Sequence, residues 1–143
     1  MNRQDYSNEF KQDVKFDITH LEFETARCGY LLAKYLDWFQ QEKFNQARLD
    51  REMNKLKLEK RKLYIQGASK ETRDKGWEVP KEKVWRGDIE IYLGGDNEIL
   101  ELKEKLDEVE IVVDILERMV NEMTFRKNKI DTIMVIRKFN EGG

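Results

Sequence analysis

The stretch that decides the fold is residues 99–134, ILELKEKLDEVEIVVDILERMVNEMTFRKNKIDTIM. Apolar residues recur at Ile99, Leu102, Leu106, Val109, Val113, Leu116, Val120 and Met123, and again beyond Lys127 at Ile130 and Met134. Alternating steps of three and four residues trace a heptad seam. A seam of this period faces sideways along the whole helical rod and needs other helices to cover it. Val112, Met119 and Ile133 add a second line beside the first, with Ile115 and Ile136 nearby, so the apolar face is wider than a two-stranded coiled coil needs. A face of that width touches two neighbours at once, as in bundles and closed helical barrels. The expectation is a homo-oligomer whose C-terminal helices pack as a coiled coil or barrel. Its interface residues are Leu102, Leu106, Val109, Val112, Val113, Leu116, Met119, Val120, Met123, Ile130 and Ile133. The competing arrangement is an intramolecular bundle with the upstream helix.

Composition agrees with a mainly α chain of long solvated helices. Of 143 residues 39% are charged, with one proline and eight glycines, so the core per subunit is expected to be thin. Cys28 is the single cysteine, which excludes an internal disulfide, and His20 is the single histidine; no ordinary zinc site can be built from them. There is no glycine-rich phosphate loop and no Ser-His-Asp set. Carboxylates such as Glu108 and Glu110 belong to a solvated helix face. Neither an enzyme nor a cofactor is expected. No apolar run reaches the roughly 20 residues that a membrane span requires, and the first residues are polar, so a cytoplasmic protein without membrane contact is expected.

Working outward, four segments emerge. Residues 1–18 carry a short helix over 5–15, with Phe10 and Val14 four apart. Residues 19–67 form one long helix that starts near His20 behind a Thr19-x-x-Glu22 capping box and stops at Gly67, with Gly29 its only internal weak point. Residues 68–97 form an irregular connector holding Pro80, Trp77, Trp85 and four glycines. Within it Ile89, Ile91 and Leu93 alternate with polar neighbours, which reads as a short strand or extended edge. Asp96 or Asn97 then caps the final helix, 98–143.

The net charge of −2 hides a segregation. Nine acidic residues face three basic ones between Glu98 and Glu122, whereas five basic residues face Glu59 alone between Lys55 and Lys62. Patches of this kind, rather than totals, decide what a surface attracts. Helical spacing divides the basic segment in two. Arg48, Glu52, Lys55, Glu59 and Lys62 alternate in sign along one stripe and can pair there. Lys57, Arg61 and Tyr64 lie on another face, with Lys60 beside them. Cations flanking an aromatic ring suit single-stranded nucleic acid, because phosphates attract the cations and an unstacked base can lie on the ring. The DNA-binding candidates are Lys57, Lys60, Arg61, Lys62 and Tyr64. A second interleaving of bases and aromatics, Lys75, Trp77, Lys81, Lys83, Trp85 and Arg86, marks the connector; such tryptophans serve equally as buried anchors.

Four elements, in order and spacing, carry a resemblance that covers nearly the whole chain: Phe16-Asp17-Ile18-Thr19-x-Leu21-x-x-Glu24-x-Ala26, Arg61-x-x-Tyr64-x-x-Gly67, Lys75-Gly76-Trp77-Glu78 and Ile136-Arg137-Lys138-Phe139. In these the chain resembles the UvsY-type recombination mediators of T-even-like bacteriophages. The resemblance implies a non-enzymatic protein of the infected host cell that binds single-stranded DNA and helps load a RecA-like phage recombinase onto strands covered by phage single-strand-binding protein. It also implies homo-oligomeric rings of six or seven subunits, joined through the C-terminal helices. The family's DNA contact is a Lys-x-Arg pair; here that pair falls on Glu59 and Arg61, so Lys57, Lys60 or Lys62 must stand in for the lysine. The alternative function is a coiled-coil scaffold or assembly adaptor that binds no nucleic acid.

Overall fold

The computed structural model describes residues 1–80 and 84–142. Its elements are α1 (Arg3–Asp13), α2 (Leu21–Gln66), α3 (Lys70–Asp74), a 3-10 turn (Arg86–Asp88), α4 (Ile89–Gly94) and α5 (Asn97–Gly142). Among the described residues there is no strand, and the fold is mainly α. Ile89–Leu93, expected as a strand, belongs to α4: Ile89 and Leu93 are buried while Ile91 is exposed. Five residues with apolar side chains at every second position meet the i, i+4 requirement of one helical turn as well as the alternation of a strand. With no partner strand, only the helix satisfies its own backbone.

Local chemistry sets the helix ends. Asn2 and Asp5 form a reciprocal capping box at α1, and Ser69 with Thr72 does the same for α3. The box expected at Thr19 and Glu22 is replaced by Asp17, whose carboxylate accepts the Thr19 amide N–H at 2.8 Å and also the Thr19 hydroxyl. These bonds, with one to His20, hold the Asp17 carboxyl down at about 2. At the other end of α2, Gly67 adopts φ +83 and returns its N–H to the Leu63 carbonyl at 2.9 Å, a left-handed C-terminal stop that only glycine takes without strain. Asp96 caps α5, its Oδ1 accepting the Ile99 N–H at 3.1 Å.

The chain divides into two compact units, Met1–Phe44 with Val109–Gly143, and Asn45–Glu108. In the first, Tyr6 of α1, Leu31 and Tyr35 of α2, and Leu116, Met119 and Met123 of α5 form one buried cluster; Leu21, Cys28 and Ile130 form another. Edge-to-face contacts of Tyr35 with Phe10 and Trp38, at 5.7 and 5.2 Å between centroids, rigidify the first cluster. Two guanidiniums cap the end of α1. Arg27 donates to the carbonyls of Asp13 and Lys15, and Arg126 to those of Val14 and Lys15, while both pair with the buried Glu24.

The heptad seam, expected to find no cover within its own chain, is covered there to a large extent. Val113, Leu116, Met119, Met123 and Ile130 are buried in the protomer, and Val112, Val120 and Ile133 are half-buried. In the second unit Met53, Val84, Ile89, Leu93 and Ile99 are buried, packed by Leu56, Tyr64 and Leu102. Leu106 and Val109 are half-buried.

Candidate nucleic-acid interface

The basic end of α2 is held from below by acids of the connector and of α5. Lys60 lies on the apolar side of the helix, near Met53 and Leu63 in register, and only 2% of it is exposed. An isolated ammonium there would be costly. Its Nζ lies 2.9 Å from Glu98 Oε2 and 3.1 Å from Asp96 Oδ2, and 4.1 Å from the centre of the Trp77 ring. Tyr64 donates its hydroxyl to the same Asp96 oxygen at 2.6 Å. Asp96 therefore joins three tasks: it caps α5, neutralises Lys60 and accepts from Tyr64. Burial alone would raise its pKa, but the Tyr64 hydroxyl, the Ile99 amide and Lys60 outweigh burial and leave the carboxyl below its ordinary value. Burial and the adjoining carboxylate push the Tyr64 phenol well up.

The other candidates stand differently. Arg61 is exposed and pairs with Glu90 of α4. Glu59, where the resemblance places the family's lysine, accepts from Lys75 Nζ at 2.8 Å, and this hydrogen bond holds its carboxyl below the usual range. Lys75 also lies 4.7 Å from the Trp77 ring, so that ring packs with two ammoniums and is half-buried. Lys57 and Lys62 are exposed and have no ion-pair partner among the described residues. They do not share a face: five residues at 3.6 per turn put Lys62 about 140° round α2 from Lys57, whereas Arg61 is only about 40° away. The sign-alternating stripe is formed at Arg48 and Glu52, 3.1 Å apart, and lapses at Glu59, which turns to Lys75 and leaves Lys55 and Lys62 uncompensated. Trp85 and Arg86 are exposed; Lys81 and Lys83 lie outside the described residues. The structure thus brings Lys60 and Tyr64 together as an anchor, and sets Lys57 and Arg61 on the surface beside them. Sequence reasoning had placed Asp96 as a cap. Its bonds to Lys60 and Tyr64, 36 and 32 residues upstream, leave no local signal.

A family model described as "Recombination, repair and ssDNA binding protein UvsY" matches residues 9–143. The chain belongs to the UvsY family. It is 25% identical over 142 residues to the "Recombination protein uvsY" of Enterobacteria phage T4, covering 99% of each chain. It is similar to a crystal structure of the bacteriophage T4 recombination mediator protein UvsY, with a TM-score of 0.83 at 25% identity, covering 100% of this chain and 99% of that one. A second crystal form of the T4 protein gives 0.82 at 24% identity, over 97% and 99% of the two chains. The UvsY assignment makes this a phage recombination protein of an all-α type. No helix among its described residues is long and apolar enough to cross a membrane.

Proposed function

We propose that this UvsY-family chain acts as a homo-oligomer that binds single-stranded DNA and promotes loading of a RecA-like recombinase onto strands covered by single-strand-binding protein. The observation that carries the DNA-binding part is the pair Lys57 and Arg61, two exposed cations on one face at the basic end of α2, one of them without an ion-pair partner among the described residues. Lys57 attracts phosphate directly. Arg61 exchanges the carboxylate of Glu90 for a phosphate oxygen, a small sacrifice because exposed pairs contribute little. Lys60 and Tyr64 act from the interior, fixing the register of this face against Asp96. Repetition of the patch in an oligomer multiplies weak binding to one strand. Bending or wrapping the strand across those patches displaces the covering protein and presents DNA to the recombinase.

Titration of single-strand affinity against salt, with a Lys57→Ala/Arg61→Ala variant beside the parent, tests the reading. The log–log salt slope of single-strand binding falls by about 0.7 for each phosphate that is no longer neutralised. The variant is expected to bind more weakly, with a slope shallower by that amount for every phosphate its two missing cations had held, at unchanged mass. Unchanged affinity and slope in a variant of unchanged mass would move the site elsewhere. A parent chain that binds no single-stranded DNA at low salt would leave the scaffold function.

A further inference from the structure

The buried seam leaves open what joins one copy to the next, and the outer faces of the long helices carry an answer. On α2, Arg51, Lys55, Leu58, Lys62 and Ile65 follow one another by steps of four, three, four and three, all exposed, with no acid between them on that line. Leu58 and Ile65 are 55% and 45% exposed, although large aliphatics on a solvated helix are normally turned inward. On α5, Leu100, Glu104, Asp107, Ile111 and Asp114 repeat the same rhythm on an outer face, again exposed, with Leu100 at 47% and Ile111 at 49%. One line is basic and apolar, the other acidic and apolar. Asp107 and Asp114 have only exposed partners on their own helix, Lys103 at 3.8 Å and Arg118 at 3.2 Å, and such pairs exchange at little cost.

We propose that these two lines are the halves of one interface between copies of this chain, the basic stripe of α2 in one copy seating the acidic stripe of α5 in the next. The steps match when the helices run antiparallel. With Leu58 set against Ile111, Lys62 meets Asp107 and Lys55 meets Asp114. Opposite charges then flank an apolar contact on both sides, the arrangement that fixes register and partner in helical pairs. The contact joins unlike faces, so each copy has one of each free for a neighbour, and a rotation that closes gives a ring. This interface rests on the homo-oligomer proposed above and says which surfaces build it.

Charge reversal tests it in the full chain. Native mass spectrometry or light scattering at moderate salt should show Lys55→Glu/Lys62→Glu falling to smaller species, with an association constant reduced at least tenfold. The four-fold variant that adds Asp107→Lys/Asp114→Lys should return to the parent mass. All four positions are exposed, and far-UV circular dichroism checks that each variant is folded. A parent chain that is monomeric would sink the oligomer and this interface together. A parent oligomer whose mass survives Lys55→Glu/Lys62→Glu, or a four-fold variant that stays dissociated, overturns the interface alone. Retained mass with abolished single-strand affinity would make the α2 stripe a DNA track instead.

Discussion

The Lys60 ammonium lies 3.1 Å from the Asp96 carboxylate, with 2% of one side chain and 4% of the other exposed. Removing one partner of so buried a pair costs about 3 kcal/mol, because the other charge is left in a poorly solvating site. Lys60→Ala is therefore expected to lower the urea midpoint strongly, and the double variant Lys60→Met/Asp96→Asn to recover part of that stability. Were Lys60 a direct DNA ligand, Lys60→Ala would instead leave the stability within about 1 kcal/mol of the parent, the worth of one ordinary hydrogen bond, while abolishing strand binding.

Both pH limits follow from the same network. Asp96 is held below its ordinary pKa, so its contribution is present above the unfolded value of about 3.9 and is lost as pH falls through the lower, folded value. Burial, then the hydrogen bonds to Glu42, Asp13 and Asp96, raise the phenols of Tyr6, Tyr35 and Tyr64. Their contribution is complete below the unfolded value of about 10 and declines as pH rises toward the folded values. The urea midpoint should hold through neutral pH and begin to drop near pH ~10, less steeply in Tyr35→Phe than in the parent. A midpoint flat to about one pH unit above that would contradict this.

What the sequence disclosed was the element inventory, because helices are local. The 3-4 repeat gave α5 and the capped apolar pattern gave α2, each within a residue or a few of its observed ends. The repeat could not say which surface covers the seam, since Tyr6, Leu31 and Tyr35 meet Leu116 only through long-range packing. Lys60 reads as one more surface cation in a basic run, because its burial depends on Asp96 and Glu98. The α4 turn was misread, as five alternating residues are compatible with both periods.

Arg126 closes the end of α1 from 112 residues away in sequence, donating to the Val14 carbonyl at 2.7 Å and pairing with the buried Glu24 at 3.2 Å. Arg126→Ala is expected to destabilise by about 3 kcal/mol, with Glu24 then compensated by Arg27 alone. Protease cleavage near residues 14–18 should rise in the same variant, since α1 loses its cap. A variant as resistant as the parent would mean that the aromatic contacts of Tyr35 hold α1 unaided.

Two glycines of α2 and its stop should respond with opposite sign to the same substitution. A Cβ built on Gly29 meets no atom within 4 Å, and Gly29 lies inside continuous helix, so Gly29→Ala gains about 0.5–1 kcal/mol of helix propensity and reduced chain entropy. Gly67 also has room around its Cβ, but its φ of +83 belongs to the left-handed region, where an L side chain costs about 1–2 kcal/mol. Thermal unfolding separates the two: for a chain of this length each kcal/mol moves Tm by roughly 3–5 °C. Gly29→Ala should raise Tm and Gly67→Ala lower it, with secondary structure unchanged in both. A fall in Gly29→Ala would place a bend at that position, since only a backbone that departs from the helix there makes alanine unfavourable where no atom obstructs it.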